Sequence, residues 1–421
     1  MAPESRPPSA HVSSAPSFRR ALRNRPFLLL WSSQLISQSG DYIFDIALIW
    51  LVLQATGSIL DVSLVVVVTL IPTVLLGPVL GVYADRWPRR TVLLGTNVAE
   101  AALVAGLSVL VLAHQAGLGV ILAIVLALSV GGQFVRITSS AMVPQTVGTD
   151  DLPPANSLLS FSNSATQIVG LSIGGIVVAL FGVVYPIEYD ALTFLVAALI
   201  VGAISRAVGR PEPLAPGTER RFRNEFVEGL RYVRDQRYLI EIIVVGLVIN
   251  FCGNAAFALW APYAERVLHG GSATYGFLGA AIALGAIVGA AVIGKIDTHR
   301  SAGKFLFLGA TGFGVFTVLL GLTSSIPLAL AEALVIGICT SIANVPLFVL
   351  LQAKVPGRLL GRVMSVFLSL VLAAAPFGAF FAGTIATATS IGVLYIIAGS
   401  IILGTVAVGA VAMREIRDMS Y

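Results

Sequence analysis

Charged residues are scarce in this sequence. Of its 421 residues, 26 are Lys or Arg and 21 are Asp or Glu, which makes 11% charged. Soluble globular domains carry roughly a quarter charged residues. Hydrophobic residues make up 57% of the chain and its mean hydropathy is +0.93. This composition excludes an ordinary soluble protein and predicts a chain embedded in a lipid bilayer.

Cysteine and histidine are also rare. The two cysteines, Cys252 and Cys339, lie inside apolar runs, which excludes a disulfide scaffold and a cysteine-ligated metal cluster. The four histidines are far apart and form no HExxH pattern, so we expect neither a metal site nor a cofactor. The net charge of +5 lies between apolar segments rather than in a basic surface patch, and no nucleic-acid partner is expected.

Long apolar runs dominate the sequence instead. A bilayer core about 30 Å thick needs about 20 apolar residues per helix, and on that measure the chain divides into twelve predicted spans. The first 26 residues are polar and do not resemble a cleavable signal peptide, so span 1 stays in the protein. Spans 1 to 12 are predicted to begin near Phe27, Asp61, Thr91, Gly119, Asn156, Glu188, Leu239, Ala273, Lys304, Ile326, Gly361 and Ile391.

Lys and Arg are concentrated in every second connecting segment. If the amino terminus is cytoplasmic, 24 of the 26 basic residues lie in cytoplasmic segments, leaving only Arg266 outside and Arg136 within a span. Cytoplasmic loops of membrane proteins carry such an excess of basic residues. The distribution therefore predicts that both termini are cytoplasmic, and it supports the count of twelve spans.

The sequence shows signs of an internal duplication. Three residues recur 212 positions later: Gly77, Asp85 and Pro144 as Gly289, Asp297 and Pro356. A common offset of about half the chain indicates a duplicated six-helix unit. The predicted fold is therefore an all-α membrane protein whose twelve transmembrane helices form two pseudo-symmetric six-helix bundles.

A charged, proline-containing segment separates the two predicted bundles. Its apolar residues Phe222, Phe226, Leu230 and Val233 recur at helical spacing, which predicts an amphipathic helix on the cytoplasmic surface. The predicted domains are a cytoplasmic tail (1–26), an N-terminal bundle (27–208), the cytoplasmic linker (209–237), a C-terminal bundle (238–413) and a second tail (414–421).

The loop after span 2 carries a recognisable motif. It reads Gly81-Val-Tyr-Ala-Asp85-Arg86-Trp87-Pro88-Arg89-Arg90, and a degenerate second copy runs from Gly294 to Arg300. The string resembles the loop signature of the major facilitator superfamily, although Pro88 stands where that family has a glycine. The resemblance implies a cytoplasmic gate in which Asp85 meets the positive end of span 11 near Gly361 and Arg362. A positively charged loop without a gating role is the alternative.

Further strings narrow this resemblance. They lie at Ser37–Gly57, Leu152–Leu158, Asp190–Phe194, Leu350–Pro356 and Gly361–Ser365. Together they resemble the twelve-helix drug:proton antiporter branch that includes enterobactin exporters and macrolide-efflux proteins. The resemblance implies a monomeric multidrug exporter of the bacterial inner membrane, driven by protons and associated with antibiotic resistance. It does not specify which small molecule is the substrate.

Ionisable residues inside the spans are candidates for proton coupling, because charge is costly in a bilayer and is usually functional there. Asp41 and Asp45 are one turn apart on span 1, and Glu100 lies near the middle of span 3. A carboxyl group withdrawn from water exchanges a proton near neutral pH because desolvation disfavours its charged form. Asp41 is the leading candidate and Glu100 the alternative. A hydrogen-bonded aspartate pair and an outer-packing Glu100 are the structural alternatives.

Polar residues on spans 1, 4, 5, 7 and 10 are candidates for lining a substrate path between the two halves. Arg136 departs from the small residues usual in relatives and is predicted to be a counter-ion to the aspartates or a substrate contact. The small polar residues of span 5 serve either helix packing or a wet path, and Trp260 and Tyr263 either bind ligand or anchor the membrane interface. The substrate-path candidates are Gln38, Arg136, Asn163, Asn250, Asn254 and Asn344.

Alternatives remain within and outside the transporter class. An uptake porter or a lysophospholipid flippase of the same fold fits the same sequence features. A polytopic membrane enzyme would need a cluster of His, Asp or Cys at one membrane face, which the sequence does not show, so we do not expect an enzyme. The sequence also has no GxxxxGK[ST] motif, so ATP-driven transport would need a separate subunit.

The gate hypothesis predicts that Asp85→Asn leaves the protein in the membrane but reduces transport. Opening towards the cytoplasm must break the contact between this carboxylate and the positive end of span 11, and the amide has no charge to restore it. The measurement is transport in cells, with the membrane level of each variant followed by immunoblot. Normal transport by a well-expressed variant would contradict a gating role.

Overall fold

The computed structural model describes residues 18–75, 87–206, 208–209, 218–296 and 302–412. Within these ranges the chain forms fifteen α-helices, one short 3₁₀ turn at Thr149–Asp151 and no strand. The helices are α1 (Phe18–Arg23), α2 (Arg25–Thr56), α3 (Ile59–Leu75), α4 (Arg89–Leu112), α5 (Leu118–Thr146), α6 (Leu152–Phe181), α7 (Val184–Gly202), α8 (Thr218–Asp235), α9 (Arg237–Ala258), α10 (Trp260–Arg266), α11 (Gly271–Ile293), α12 (Ala302–Leu322), α13 (Ile326–Lys354), α14 (Gly357–Ala388) and α15 (Ile391–Ala412).

Twelve of these helices correspond to the predicted spans. Eleven of them, namely α2, α4–α7, α9 and α11–α15, are long and apolar enough to cross a membrane, and α3 is a shorter apolar helix. The twelve-helix, all-α prediction is confirmed. Each helix begins within four residues of its predicted start. The largest differences arise where a polar or proline-containing first turn precedes the apolar run, as at Leu152 and Gly357.

The two halves of the chain meet through equivalent helices. The second span of each half packs on the fifth span of the other: α3 contacts α14, and α11 contacts α6. Exchanging the halves leaves this pattern unchanged, which is what a pseudo-twofold arrangement requires. The end of the bundle that carries α8 is called the linker side below, and the opposite end the loop side.

Close packing joins the halves on the loop side. A methyl group on Gly276 of α11 would lie 2.3 Å from the carbonyl oxygen of Leu171 in α6, so only glycine permits this approach. Nearby, the Ser272 hydroxyl donates a hydrogen bond of 3.1 Å to the Gly175 carbonyl oxygen. Arg266 of α10 donates to the carbonyl oxygen of Gly57, which follows α2. These contacts close the loop side of the interface.

The linker helix α8 packs against the second half. Val233 is 4% exposed and Phe226 packs beside it on the core that α9 and α14 share. Gly229 lies against the backbone of Arg362 near the start of α14. Two of the predicted apolar positions, Phe226 and Val233, therefore contact protein, whereas Leu230 is exposed. The prolines at 211, 213 and 216 lie outside the described residues.

The proposed internal repeat is only partly visible. Pro144 lies inside the last turn of α5, whereas Pro356 follows the end of α13 and precedes α14, so these two prolines are not structurally equivalent. Gly77, Asp85 and Asp297 lie outside the described residues. The duplication is therefore better supported by the helix contacts than by the residue matches.

The loop-side packing predicts that Gly276→Ala weakens closure on that side. Forcing a methyl group against the Leu171 carbonyl group is expected to cost about 1–3 kcal/mol, as overpacking does elsewhere. The measurement is the reactivity of a single cysteine, Ser272→Cys in a background without Cys252 and Cys339, towards a membrane-impermeant thiol reagent. Reactivity should rise with Gly276→Ala and stay unchanged with Gly404→Ala, where a methyl group meets open space. Equal reactivity in both variants would contradict a closing role.

Candidate functional site

A polar cavity of about 790 Å³ lies inside the first half. Its lining comes mainly from α2, α4, α5, α6 and α7. All three predicted proton-coupling residues line it, as do the three predicted substrate-path residues of the first half. These residues are Asp41, Asp45, Glu100, Gln38, Arg136 and Asn163.

Asp41 and Asp45 occupy the same face of α2, as their spacing of one turn predicts. Asp41 is half-buried, whereas Asp45 is exposed to the cavity. Among the described residues, neither carboxylate forms an ion pair within 4.0 Å. The neighbouring Tyr42 hydroxyl donates a 3.0 Å hydrogen bond to Oδ1 of Asn163 on α6, which ties the two helices together beside the aspartates.

Arg136 lines the same cavity but does not contact the aspartates in this conformation. Its guanidinium group donates to Oε1 of Gln133 on the same helix, and Gln133 in turn donates to the Thr73 hydroxyl of α3. The Arg136 side chain is exposed to the cavity. It is therefore positioned to meet a ligand or a carboxylate on α2 when helices move, and the two predicted roles both stay open.

Two carboxyl groups are buried behind the aspartates. Glu100 of α4 is 2% exposed and Asp190 of α7 is 1% exposed, and both line the cavity wall. Within the described part of the chain, Oε2 of Glu100 and Oδ2 of Asp190 have no hydrogen-bond partner. Glu100 packs against Gly131 of α5. The helix α4, which carries Glu100, thus contributes directly to the cavity, whereas the alternative placed Glu100 in outer packing.

Sequence reasoning did not select Asp190 as a site residue. The predicted start of span 6 near Glu188 placed Asp190 at the membrane edge, where a charge needs no special explanation. In the structure α7 begins at Val184, so Asp190 lies almost two turns inside the helix. With a more accurate helix start, Asp190 would have been recognised as an acidic residue well inside an apolar helix and therefore as a candidate site residue.

A second cavity of about 570 Å³ lies inside the second half. The three remaining substrate-path candidates line it: Asn250, Asn254 and Asn344. Two of their amide nitrogens bond within their own helices: Asn254 Nδ2 donates to the Asn250 carbonyl oxygen at 2.9 Å and Asn344 Nδ2 to the Thr340 carbonyl oxygen at 3.0 Å. The other lining residues are mostly apolar, and none of the lining residues is charged at neutral pH.

The two aromatic residues at the end of span 7 have different roles. Trp260 is 3% exposed, stacks on Phe257 with ring centroids 5.0 Å apart, and lines the second cavity. Tyr263 is 1% exposed, and its hydroxyl donates to the carbonyl oxygens of Leu320 and Thr323. Neither side chain is an exposed interface anchor. Trp260 is available to a ligand, and Tyr263 stabilises the packing of α10 on α12.

Exposed lining residues lie in the linker-side part of both cavities. In the first, Ser140, Asn156 and Ser160 lie close to the linker-side ends of α5 and α6. In the second, Asn344 and Leu368 lie in the linker-side halves of α13 and α14, whereas Phe257, which is also exposed, lies at the loop-side end of α9. Contacts between α6 and α11 close the loop side of the interface between the halves.

Four of the seven predicted gate residues lie within the described residues. Arg89 and Arg90 bond to the backbone near the ends of two helices: Arg89 Nη1 donates to the Ala141 carbonyl oxygen at 2.8 Å, and Arg90 Nε to the Ile204 carbonyl oxygen at 2.7 Å. The Arg90 contact satisfies a carbonyl group just beyond the end of α7, whereas the Ala141 carbonyl group lies more than one turn inside α5. Gly81, Asp85 and Arg86 lie outside the described residues, so their gate contact stays a prediction.

The remaining gate residues lie at the start of α14. Gly361 is exposed and a methyl group there would meet open space. Arg362 pairs with two carboxylates of the linker helix α8, Glu228 at 2.7 Å and Glu225 at 3.4 Å. In this conformation the positive charge of Arg362 is thus shared with the linker.

The fold and the two facing cavities define a polytopic membrane transporter. A family model described as transmembrane secretion effector matches residues 17–420, and the chain belongs to this family of the major facilitator superfamily. The family membership identifies a transporter rather than an enzyme. The predicted drug-efflux branch is confirmed.

Relatives and solved structures agree with this assignment. The chain is 28% identical to multidrug efflux pump Tap of Mycolicibacterium fortuitum and 22% identical to macrolide efflux protein A of Streptococcus pyogenes. Both comparisons cover 93% of this chain and 97% of the relative. A solved bacterial homologue of the human lysosomal transporter Spinster has the same fold, with a TM-score of 0.70, 14% identity and coverage of 96% of this chain and 97% of that one.

The cavity geometry predicts which single cysteines are accessible to water. With Cys252 and Cys339 replaced, cysteines at Arg136, Asn163 and Asn344 should react with a hydrophilic thiol reagent, because these side chains are exposed inside the cavities. A cysteine at Ser108, which is 4% exposed and outside both cavities, should not react. The readout is the labelled fraction of protein in membrane vesicles. If none of the four cysteines is labelled, Arg136, Asn163 and Asn344 only pack helices.

Proposed function

We propose that this protein exports small amphipathic organic compounds in exchange for protons by alternating access. The observation that carries the proposal is a single cavity in which four carboxyl groups and one guanidinium group lie inside an apolar bundle. Buried ionisable residues of this kind mark ion pathways in membrane proteins. In this proposal the protein acts as a monomer in the bacterial inner membrane. Both termini are cytoplasmic, which the distribution of basic residues favours.

The two cavities suit the two parts of an amphipathic molecule. The first offers carboxylates, amides and a guanidinium group, whereas the second offers aromatic and aliphatic surface with a few amide oxygens. Binding sites of this character are mostly apolar with a small number of polar groups that fix orientation. A drug, an antibiotic or a siderophore fits this description. The names of the efflux relatives support a drug or an antibiotic.

Coupling requires that proton binding and substrate binding affect the same residues. Asp41 and Asp45 are exposed enough to meet the substrate and lie within a turn of each other, so two negative charges there repel and a proton relieves the repulsion. Arg136 has the opposite effect when it approaches them. A rearrangement that brings Arg136 nearer in one conformation therefore gives the two conformations different proton affinities, which is what exchange demands.

The direction of transport distinguishes this proposal from an uptake porter or a lysophospholipid flippase of the same fold. If the linker side is cytoplasmic, the exposed residues in the linker-side part of both cavities lie where an exporter loads its substrate. Expression in an efflux-deficient host, followed by a toxicity screen over macrolides, tetracyclines, siderophores and biocides, tests the direction. Resistance that an uncoupler abolishes supports proton-driven export, and increased sensitivity to a toxic compound supports uptake.

The coupling hypothesis predicts that Asp41→Asn and Asp45→Asn separate proton movement from substrate exchange. In everted vesicles, Asp41→Asn is expected to lose most substrate-induced proton release while substrate counterflow persists, because the amide cannot exchange a proton but still fills the same space. Asp61→Asn, an acidic residue in the loop-side first turn of α3 and outside the cavity, is the matched control. Full proton release in both cavity variants would move the assignment to Glu100 or elsewhere.

A further inference from the structure

The Asp190 carboxyl group has few partners for a group so deeply buried. Its side chain belongs to a residue that is 1% exposed and lines the wall of the polar cavity. Oδ1 accepts a 3.3 Å hydrogen bond from the Thr193 hydroxyl, which also donates to the Asp190 carbonyl oxygen at 2.8 Å. Within the described residues, Oδ2 has no hydrogen-bond partner. Buried polar atoms are usually paired, so this oxygen needs an explanation.

Asp190 is seated directly against the helix that carries Asp41. A methyl group on Gly40 of α2 would lie 2.3 Å from Oδ1 of Asp190 and 2.1 Å from the Thr193 hydroxyl oxygen. Only glycine permits this approach, and the next residue along α2 is Asp41. The side chains of Asp41 and Asp190 therefore meet the same cavity from two helices that touch at Gly40.

The charges that surround Asp190 are mostly of the same sign. Asp41 and Asp45 on α2 and Glu100 on α4 line the same cavity as Asp190. The neighbouring helix α6 contributes no charged residue. On α7 itself, Glu188 is exposed and accepts a 3.3 Å hydrogen bond from Ser108. The cation of the cavity, Arg136, bonds to Gln133 rather than to any of these acids.

A proton is the ligand that this arrangement accommodates. An ionised carboxylate at Asp190 would be buried in the wall of a cavity that three other acids also line, with no cation bound to it among the described residues, and that state is strongly disfavoured. Within the same residues, no three acidic, histidine or cysteine side chains come together as a metal ion requires. A proton on Oδ2 removes the charge and turns the unpaired acceptor into a donor.

We propose that Asp190 is a second proton-carrying residue, which shares an exchangeable proton with Asp41 across the contact at Gly40. The inference rests on the proposed function and extends it to a residue outside span 1. When substrate binds, the Asp190 carboxyl group releases its proton to the Asp41 carboxylate or to cavity water. The carboxylate that remains takes up a proton again after the substrate has left. Two acids that interact in this way titrate as a pair.

The first test compares Asp190→Asn with Glu188→Gln, an acidic residue of the same helix that faces away from the cavity wall. Each purified variant is placed in liposomes with a pH-sensitive dye, and protons released per molecule of erythromycin transported are measured. Asp190→Asn should lower this ratio at least about twofold and flatten the pH dependence of erythromycin counterflow, since half of the coupled pair is gone. Glu188→Gln should match the wild type.

A second test uses the wild-type chain and needs no variant to fold. Dicyclohexylcarbodiimide reacts with protonated carboxyl groups: the acid proton moves to a carbodiimide nitrogen, the carboxyl oxygen bonds to the carbodiimide carbon, and rearrangement gives a stable N-acylurea. Mass spectrometry of the labelled protein is expected to find the adduct on Asp190 at neutral pH. No adduct on Asp190, when other carboxyl groups are labelled, would overturn the proposal.

The outcomes separate this inference from the function on which it rests. If the wild type releases no protons with erythromycin, the hypothesis that this compound is exchanged for protons is wrong. Carbodiimide labelling alone then decides whether Asp190 holds a proton. If the wild type and Glu188→Gln couple normally and well-folded Asp190→Asn does too, the proposed function stands and the role of Asp190 is refuted. If Asp190 has a purely structural role, Asp190→Asn will change thermal stability without changing the number of protons released per molecule of erythromycin.

Discussion

A carboxyl group taken out of water needs either a cation or a proton, and this requirement governs the first half of the molecule. Four acidic side chains share a cavity with one guanidinium group, and that group bonds to a neighbouring amide instead of to an acid. The charges cannot all be present together at low cost. Binding of substrate in the cavity, or the approach of Arg136, therefore changes which carboxyl groups are ionised. This linkage between substrate binding and proton binding is the basis of exchange.

The contacts between the halves provide the second requirement of a transporter, which is closure on one side at a time. On the loop side, α6 and α11 approach through glycines until backbone meets backbone. On the linker side, Arg362 pairs with two carboxylates of α8. The predicted gate places Asp85, in the loop before α4, at the start of α14, and forming that contact would change the surroundings of Arg362. The linker helix is thus a candidate contributor to the energy difference between two conformations.

The sequence predicted the spans well because a bilayer imposes a minimum length of apolar residues, which composition alone reveals. It also singled out Asp41 and Asp45, which line the first cavity, because two acids inside an apolar run are conspicuous. It did not single out Asp190, which lines the same cavity, because an error of four residues in the start of α7 placed that acid at the membrane edge. The separation of the six polar candidates into two cavities, and the bond between Arg136 and Gln133, depend on which helix faces converge. Neither the spacing of residues nor the composition of the chain predicts which helix faces converge.

The central claim is that substrate and protons move in opposite directions through one site. The most direct measurement uses the purified wild-type protein in liposomes, where an imposed pH gradient is the only driving force and accumulation of a macrolide is followed over time. The account predicts accumulation on the acidic side of the membrane that collapses when an ionophore dissipates the gradient. Accumulation that is unchanged by the ionophore, or movement of the macrolide in the same direction as the protons, would contradict it.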